Sequence, residues 1–161
     1  MKPIITVFIF MFFASCHTQQ KREAALYNLP TFQMLLTDSV SLLNTENIPT
    51  GKPIIFLFFR PDCTHCQKET QAILDNMDSF KDTHIYMLTN AAIPEIRIFS
   101  QNFKLNNYKN FTIGRDYNHS FFRLFRPSSV PFIAIYDGQK QLLKIYSDEV
   151  GISDIMNAIQ I

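Results

Sequence analysis

Residues 60–66 read Arg-Pro-Asp-Cys-Thr-His-Cys, and within them Cys63 and Cys66 stand at a spacing that serves three known chemistries. As a redox pair, the first sulfur attacks a partner as a thiolate and the second then closes an intramolecular disulfide. As half of a zinc site, the two sulfurs supply two of four tetrahedral ligands. As a structural disulfide, they close so small a loop that little unfolded-state entropy is removed. A zinc ion needs two further ligands. The chain has no second cysteine pair, His65 cannot easily join its two neighbours, and His84 and His119 lack ligand spacing between them. A domain of this size, 161 residues, buries roughly 68–70% of the surface its unfolded chain exposes, so it does not depend on a staple. Redox chemistry is the strongest of the three readings.

The elements around the pair support it. Pro53 to Phe59, Pro-Ile-Ile-Phe-Leu-Phe-Phe, is a nearly continuous apolar run that reads as a central strand buried on both faces, and Pro61-Asp62 breaks it. From Thr64 to about Phe80 the apolar positions Ala72, Ile73, Met77 and Phe80 fall near helical spacing. The first cysteine therefore lies where a strand turns into a helix. Unpaired backbone N–H groups and the helix dipole favour a negative sulfur there. Cys66 follows one turn later, within reach for ring closure.

Further along, residues 84–90 read as a strand, Pro94 to about Leu105 as a helix with proline in its first turn, 111–116 as a short strand, and 119–125 as a short helix ending before Pro127. Two strands, Phe132–Tyr136 and Gln141–Tyr146, flank the turn signal Asp137-Gly138. A closing helix fits the last residues, with Ser153 as its cap. Ahead of the central strand, residues 31–49 alternate around a turn signal at Thr37-Asp38-Ser39 and read as a hairpin. This order predicts an α/β fold, a central mixed sheet with helices on both faces and an N-terminal hairpin extension.

Strand, C-x-x-C, helix and a later Ser-Ser-Val-Pro-Phe (128–132) before a strand form a joint pattern. By it the chain from about Thr31 onward resembles the thioredoxin superfamily, nearest in style to the membrane-anchored TlpA/ResA-like thiol–disulfide oxidoreductases of the bacterial envelope. The resemblance implies that Cys63 is the nucleophile and Cys66 the resolving cysteine. It implies that Pro131 is the family's cis-proline beside the redox pair, with Val130 offering backbone hydrogen bonds to a bound peptide. It implies no cofactor and, as partners, protein thiols or disulfides. Two positions depart from the family pattern. Asp62 replaces the common tryptophan before the first cysteine and opposes its thiolate. Leu57 stands six residues before Cys63, where thioredoxins often carry a buried acid that moves protons, which leaves Glu69 or water for that task. Between the cysteines, Thr64 and His65 occupy positions that tune such pairs, and a protonated His65 would support the thiolate. The leading hairpin and strand also resemble peroxiredoxins. Their Pro-x-x-x-[Thr/Ser]-x-x-Cys arrangement is absent, because Phe56 stands at the proline's offset from Cys63. A non-enzymatic protein using its Val-Pro groove only to hold a peptide is the remaining alternative.

The chain opens Met-Lys-Pro-Ile-Ile-Thr-Val-Phe-Ile-Phe-Met-Phe-Phe-Ala-Ser-Cys. One early lysine, a short apolar run and small residues before Cys16 have the order of a secretory signal. Phe13-Ala14-Ser15-Cys16 resembles a bacterial lipobox, with phenylalanine in place of the usual leucine, which would make Cys16 a lipidation site. Ordinary cleavage near Ser15 would instead leave Cys16 as a free thiol, a liability in an oxidising compartment. The expected organisation is a signal peptide over 1–15, an anchor and tether over 16–29, and the domain over 30–161. Such a protein faces the periplasm and meets the membrane through its lipid. Fifteen basic against fourteen acidic side chains, with no basic stretch longer than Lys21-Arg22, exclude a nucleic-acid surface. Sixteen Phe and no Trp are spread through apolar runs and read as core.

Overall fold

A computed structural model describes residues 24–160. The expected signal segment and Cys16 lie outside the described residues. The elements are β1 (Gln33–Leu36), β2 (Leu42–Asn44), β3 (Ile54–Phe58), α1 (Thr64–Asp75), β4 (His84–Thr89), α2 (Ile93–Asn102), β5 (Phe111–Arg115), α3 (Ser120–Phe125), β6 (Phe132–Tyr136), β7 (Leu142–Tyr146) and α4 (Ile152–Ile159). They form the expected α/β architecture around a seven-stranded mixed sheet of order β2-β1-β5-β4-β3-β6-β7. β4 runs parallel to β3 and to β5, while β6 runs antiparallel to β3.

All five residues of β3 are buried, as an unbroken apolar run demands of a strand covered on both faces. Alternation splits them. Ile55 and Leu57, with Phe59 just beyond the strand, pack with Cys66 and Ile73 of α1, Ile96 and Phe99 of α2, and Ile155 of α4. Ile54, Phe56 and Phe58 face the other side, where Phe121 and Phe125 of α3 and Phe32 complete an aromatic layer. In that layer Phe58 and Phe121 stack with ring centroids 5.3 Å apart, and Phe121 and Phe125 at 4.2 Å. Most of the phenylalanine among the described residues is thus core, with an exception in the exposed Phe122.

Several boundaries differ from those read in the sequence, each for a local reason. α1 ends at Asp75 because Asn76 turns the chain, its backbone N–H meeting the Ile73 carbonyl and its side chain donating to the Ala72 carbonyl; Met77–Phe80 is a separate 3₁₀ turn. α2 stops at Asn102, ahead of Lys104 in the left-handed region (φ 52°). Gly151, not Ser153, caps α4, and Ser153 lies inside the helix. The β1–β2 hairpin turns where expected: Asp38 Oδ1 accepts from the Val40 and Ser41 amides, with Ser39 at φ 69°. Packing also extends ahead of Pro30, since Leu26 is buried and its carbonyl accepts from the Tyr136 hydroxyl at 3.1 Å. Among the described residues no helix is long and apolar enough to cross a membrane.

Gly114 in β5 is required by the approach of β1. A Cβ there would lie 2.6 Å from the Leu35 carbonyl oxygen and 2.7 Å from Met34 Cε. The carbonyl belongs to a paired strand and cannot give way cheaply. Gly114→Ala is therefore expected to destabilise the domain by about 1–3 kcal/mol and to lower Tm by several degrees, as thermal unfolding would measure.

Candidate redox site

Cys63 caps α1. Its backbone is extended (φ −85°, ψ 117°), its carbonyl accepts the helix's opening bond from the Gln67 amide at 3.0 Å, and its Sγ accepts from the Cys66 amide at 3.4 Å. The sulfur thus does the work that a serine or aspartate oxygen does at other helix starts, meeting an N–H that the helix leaves unpaired. A negative sulfur gains most from this position. The preceding turn is fixed by the Cys63 amide donating to the Arg60 carbonyl and by the Gln67 side chain donating to the Pro61 carbonyl.

Cys66 lies one turn on, fully buried against the core. Both thiols are free, and the two cysteines approach within 3.1 Å. Burial pushes the Cys66 thiol up to about 12. Cys63 is partly exposed and Cys66 sealed, so of the two only Cys63 is open to solvent.

Val130-Pro131 is a cis peptide, and the Val130 carbonyl lies 3.9 Å from Cys63 Sγ. The sheet register brings them together: Phe58, at the end of β3, pairs with Phe132, at the start of β6. The residues that follow the one and precede the other must meet at the same sheet edge.

The neighbours that were expected to tune the pair each have their own partner. Asp62 is exposed and held by both forks of Arg60, at 3.1 Å and 2.7 Å. That pairing lowers the Asp62 carboxyl below its ordinary range. His65 Nδ1 lies 2.6 Å from a carboxylate oxygen of Glu149, also at the surface. Thr64 is the exposed first residue of the helix. Neither Arg60 nor Glu149 was singled out in the sequence. Arg60, two residues before Asp62, could have been found by pairing near charges; Glu149, 84 residues from His65, offers no local signal.

Glu69 is the buried acid of this site. It sits three residues after Cys66 on the buried side of α1, only 2% exposed, while Leu57 keeps the strand position purely apolar. One carboxylate oxygen accepts from the Val150 amide at 3.1 Å and the other has no partner. Burial raises its carboxyl above the ordinary range, with Glu149 adding in the same sense. Among the described residues no three His, Cys, Asp or Glu side chains gather as a metal-ligand set.

No family model and no curated protein matches the chain. Solved structures do match. A secreted Mycobacterium tuberculosis disulfide oxidoreductase homologous to E. coli DsbE superposes with a TM-score of 0.67 at 14% identity, over 80% of this chain and 94% of that one. MTB DsbF, determined in mixed oxidised and reduced forms, gives 0.66 at 20% identity over 85% and 96%. The chain has the thioredoxin fold. A peroxiredoxin-like protein from Aquifex aeolicus superposes equally well, at 0.66 and 11% identity over 83% and 84%. The thioredoxin fold is therefore shared between chemistries, and function must be argued from the site.

Arg60 masks an acid that stands directly beside Cys63. Arg60→Ala is expected to slow alkylation of Cys63 by iodoacetamide by up to about fivefold at low salt, since exposed pairs carry modest energies. Arg60→Ala/Asp62→Ala should return the rate to that of the wild type. Equal rates in all three proteins would show that the pair has no bearing on the thiol.

Proposed function

We propose that the protein exchanges disulfides with polypeptide partners through Cys63. The observation that carries this reading is the contrast between the two sulfurs: one at a helix start, partly accessible and beside the Val130 carbonyl, the other buried 3.1 Å away. In the reducing direction the Cys63 thiolate attacks one sulfur of a partner disulfide. A Cys63–partner disulfide forms and the partner's other sulfur leaves as a thiolate. Cys66 then gives up its proton and attacks the Cys63 sulfur, releasing the partner's second thiolate and leaving the Cys63–Cys66 disulfide. Two electrons have moved to the partner. In the oxidising direction the same steps run backwards.

The second step is the harder one, because a thiol raised to about 12 by burial holds its proton at neutral pH. Glu69 is the proton acceptor in this reading. Residues three apart on a helix are neighbours, and its unpartnered oxygen has no other hydrogen bond to give up. Partners are proteins of the cell envelope, reached by a domain held at a membrane through lipidated Cys16. The opening segment with its lipobox-like Phe13-Ala14-Ser15-Cys16 supports that placement, as does the fold shared with a secreted oxidoreductase.

Cys66→Ser is expected to accumulate mixed disulfides that reductant releases, and Cys63→Ser to accumulate none, as non-reducing electrophoresis and mass spectrometry would read. If Cys66→Ser traps nothing and the wild type neither reduces nor oxidises a model disulfide, the exchange reading fails and peptide holding without chemistry takes its place. A pH profile tests Glu69 separately. Its carboxyl accepts a proton only when ionised, and burial moves that ionisation upward. The resolution rate should therefore rise with pH through a window just above the ordinary carboxylate range, and Glu69→Gln should lose that limb and slow resolution by about 10- to 100-fold.

A further inference from the structure

The segment joining β7 to α4 meets one face of α1 at two points. Residues four apart on a helix are neighbours, so His65 and Glu69 stand one turn apart on that face, His65 at the surface and Glu69 buried. Two consecutive residues of the segment reach them. The Glu149 carboxylate lies 2.6 Å from His65 Nδ1, and the Val150 amide donates to Glu69 Oε2 at 3.1 Å. Glu69 Oε1 is buried with no partner. Residues adjacent in the chain cannot be placed independently. The outer contact, made by a side chain, therefore helps to fix where the inner one, made by a backbone amide, comes to lie.

The two contacts act on Glu69 in opposite senses. Burial is the main cause that holds its carboxyl above the ordinary range. The Val150 amide bonds the ionised form and brings the carboxyl down, while the Glu149 charge pushes it up by a smaller amount. The other charged side chains nearby, Asp148 before Glu149, Lys68 on α1 and Asp154 on α4, are exposed. From the sheet, Leu57 and Phe59 bring only hydrocarbon to this layer.

We infer that Glu149 is a positioning residue of the exchange reaction: by holding His65 it keeps the Val150 amide on one oxygen of Glu69 and leaves the other free for the Cys66 proton. The inference rests on the exchange reading above and on the part given there to Glu69. His65 serves in it as the fixed point to which the segment is tied.

Glu149→Gln and Glu149→Ala separate the tie from the charge. Glutamine keeps an oxygen that accepts from His65 and loses the charge, whereas alanine loses both. The full chain carries Cys16→Ser so that only the pair reports, and the reduced protein is mixed with Ellman's reagent. Attack by Cys63 releases one thionitrobenzoate, and attack by Cys66 on the mixed disulfide releases the second. The rate of the second release, followed against pH, reads resolution. Its rising limb should move to lower pH in Glu149→Gln, because a charge that opposed ionisation of Glu69 is gone. In Glu149→Ala the amide loosens as well and its larger effect is lost, so the limb should move to higher pH and resolution on it should slow by up to about fivefold, the span of an exposed pair. A merely structural loss would move both variants the same way. Limbs that coincide with the wild type, or that move in one direction, overturn the inference. A second measurement separates it from the exchange reading. In Cys63→Ser protein, which cannot exchange, NMR of the Glu69 carboxyl carbon should show its titration moved down by Glu149→Gln and up by Glu149→Ala. Without those opposite movements the inference fails even where the wild type exchanges normally. With them, a wild type that releases no second thionitrobenzoate would uphold the tie between Glu149 and Glu69 and sink the exchange reading instead.

Discussion

The register between β3 and β6 is the constraint on which the site depends. Ile54 faces Tyr136 and Phe58 faces Phe132 in antiparallel pairing, so the end of one strand and the start of the other share a sheet edge. Both strands are buried along all five residues. A slip by one residue would turn every side chain to the opposite layer, setting Phe56 and Phe58 among the aliphatic residues under α1 and Ile55 and Leu57 into the aromatic layer under α3. The core thereby fixes the distance between Cys63 and Val130 without any direct bond between their chains having to do so. Function at the edge is a consequence of packing in the middle.

On that frame the electrostatics of the pair are simpler than its letters imply. Asp62 before Cys63 and His65 after it pull in opposite senses when each is taken alone. In the fold Asp62 meets the Arg60 guanidinium and His65 Nδ1 meets a Glu149 carboxylate oxygen, so each is engaged by a partner at the surface. What remains is the helix start itself: the Cys66 amide pointing at Cys63 Sγ, in a position where the dipole adds to the hydrogen bond. A backbone amide, unlike an exposed side chain, is not lost by rotation.

The strand, the break at Pro61-Asp62, the helix and the Val-Pro before β6 could be read in the sequence because each is written in adjacent letters. Apolar runs, helical spacing and proline act over a few residues, and the pattern they make is stronger than C-x-x-C alone. The partner of His65 could not be read, since 84 residues and four strands separate it from Glu149. Nor could the exposure of Ile98. Ile96, Ile98 and Phe99 look alike in a string, and only the placement of α2 against the sheet decides that the first and last are buried while the middle one faces solvent. Helix ends were missed for a smaller reason: Asn76 and Lys104 stop their helices by backbone angle, which composition does not specify.

Glu69 shows how a buried acid can come from another element than the central strand. In β3 an acid at the position of Leu57 would face the layer between the sheet and α1, and here that position is filled by hydrocarbon with no exposure. The acid reaches the same layer from the helix side instead, three residues after Cys66, and is anchored there by the Val150 amide. The same short segment after β7 carries Glu149 to His65, and its Ser147 carbonyl accepts from the Ser129 hydroxyl beside Val130. Three hydrogen bonds therefore tie one loop to the residue between the cysteines, to the buried acid behind them and to the strand start facing them. A loop held at three points of the site cannot move without disturbing all of them, so the geometry around Cys63 and Cys66 is kept by the loop's closure as much as by the helix that bears them.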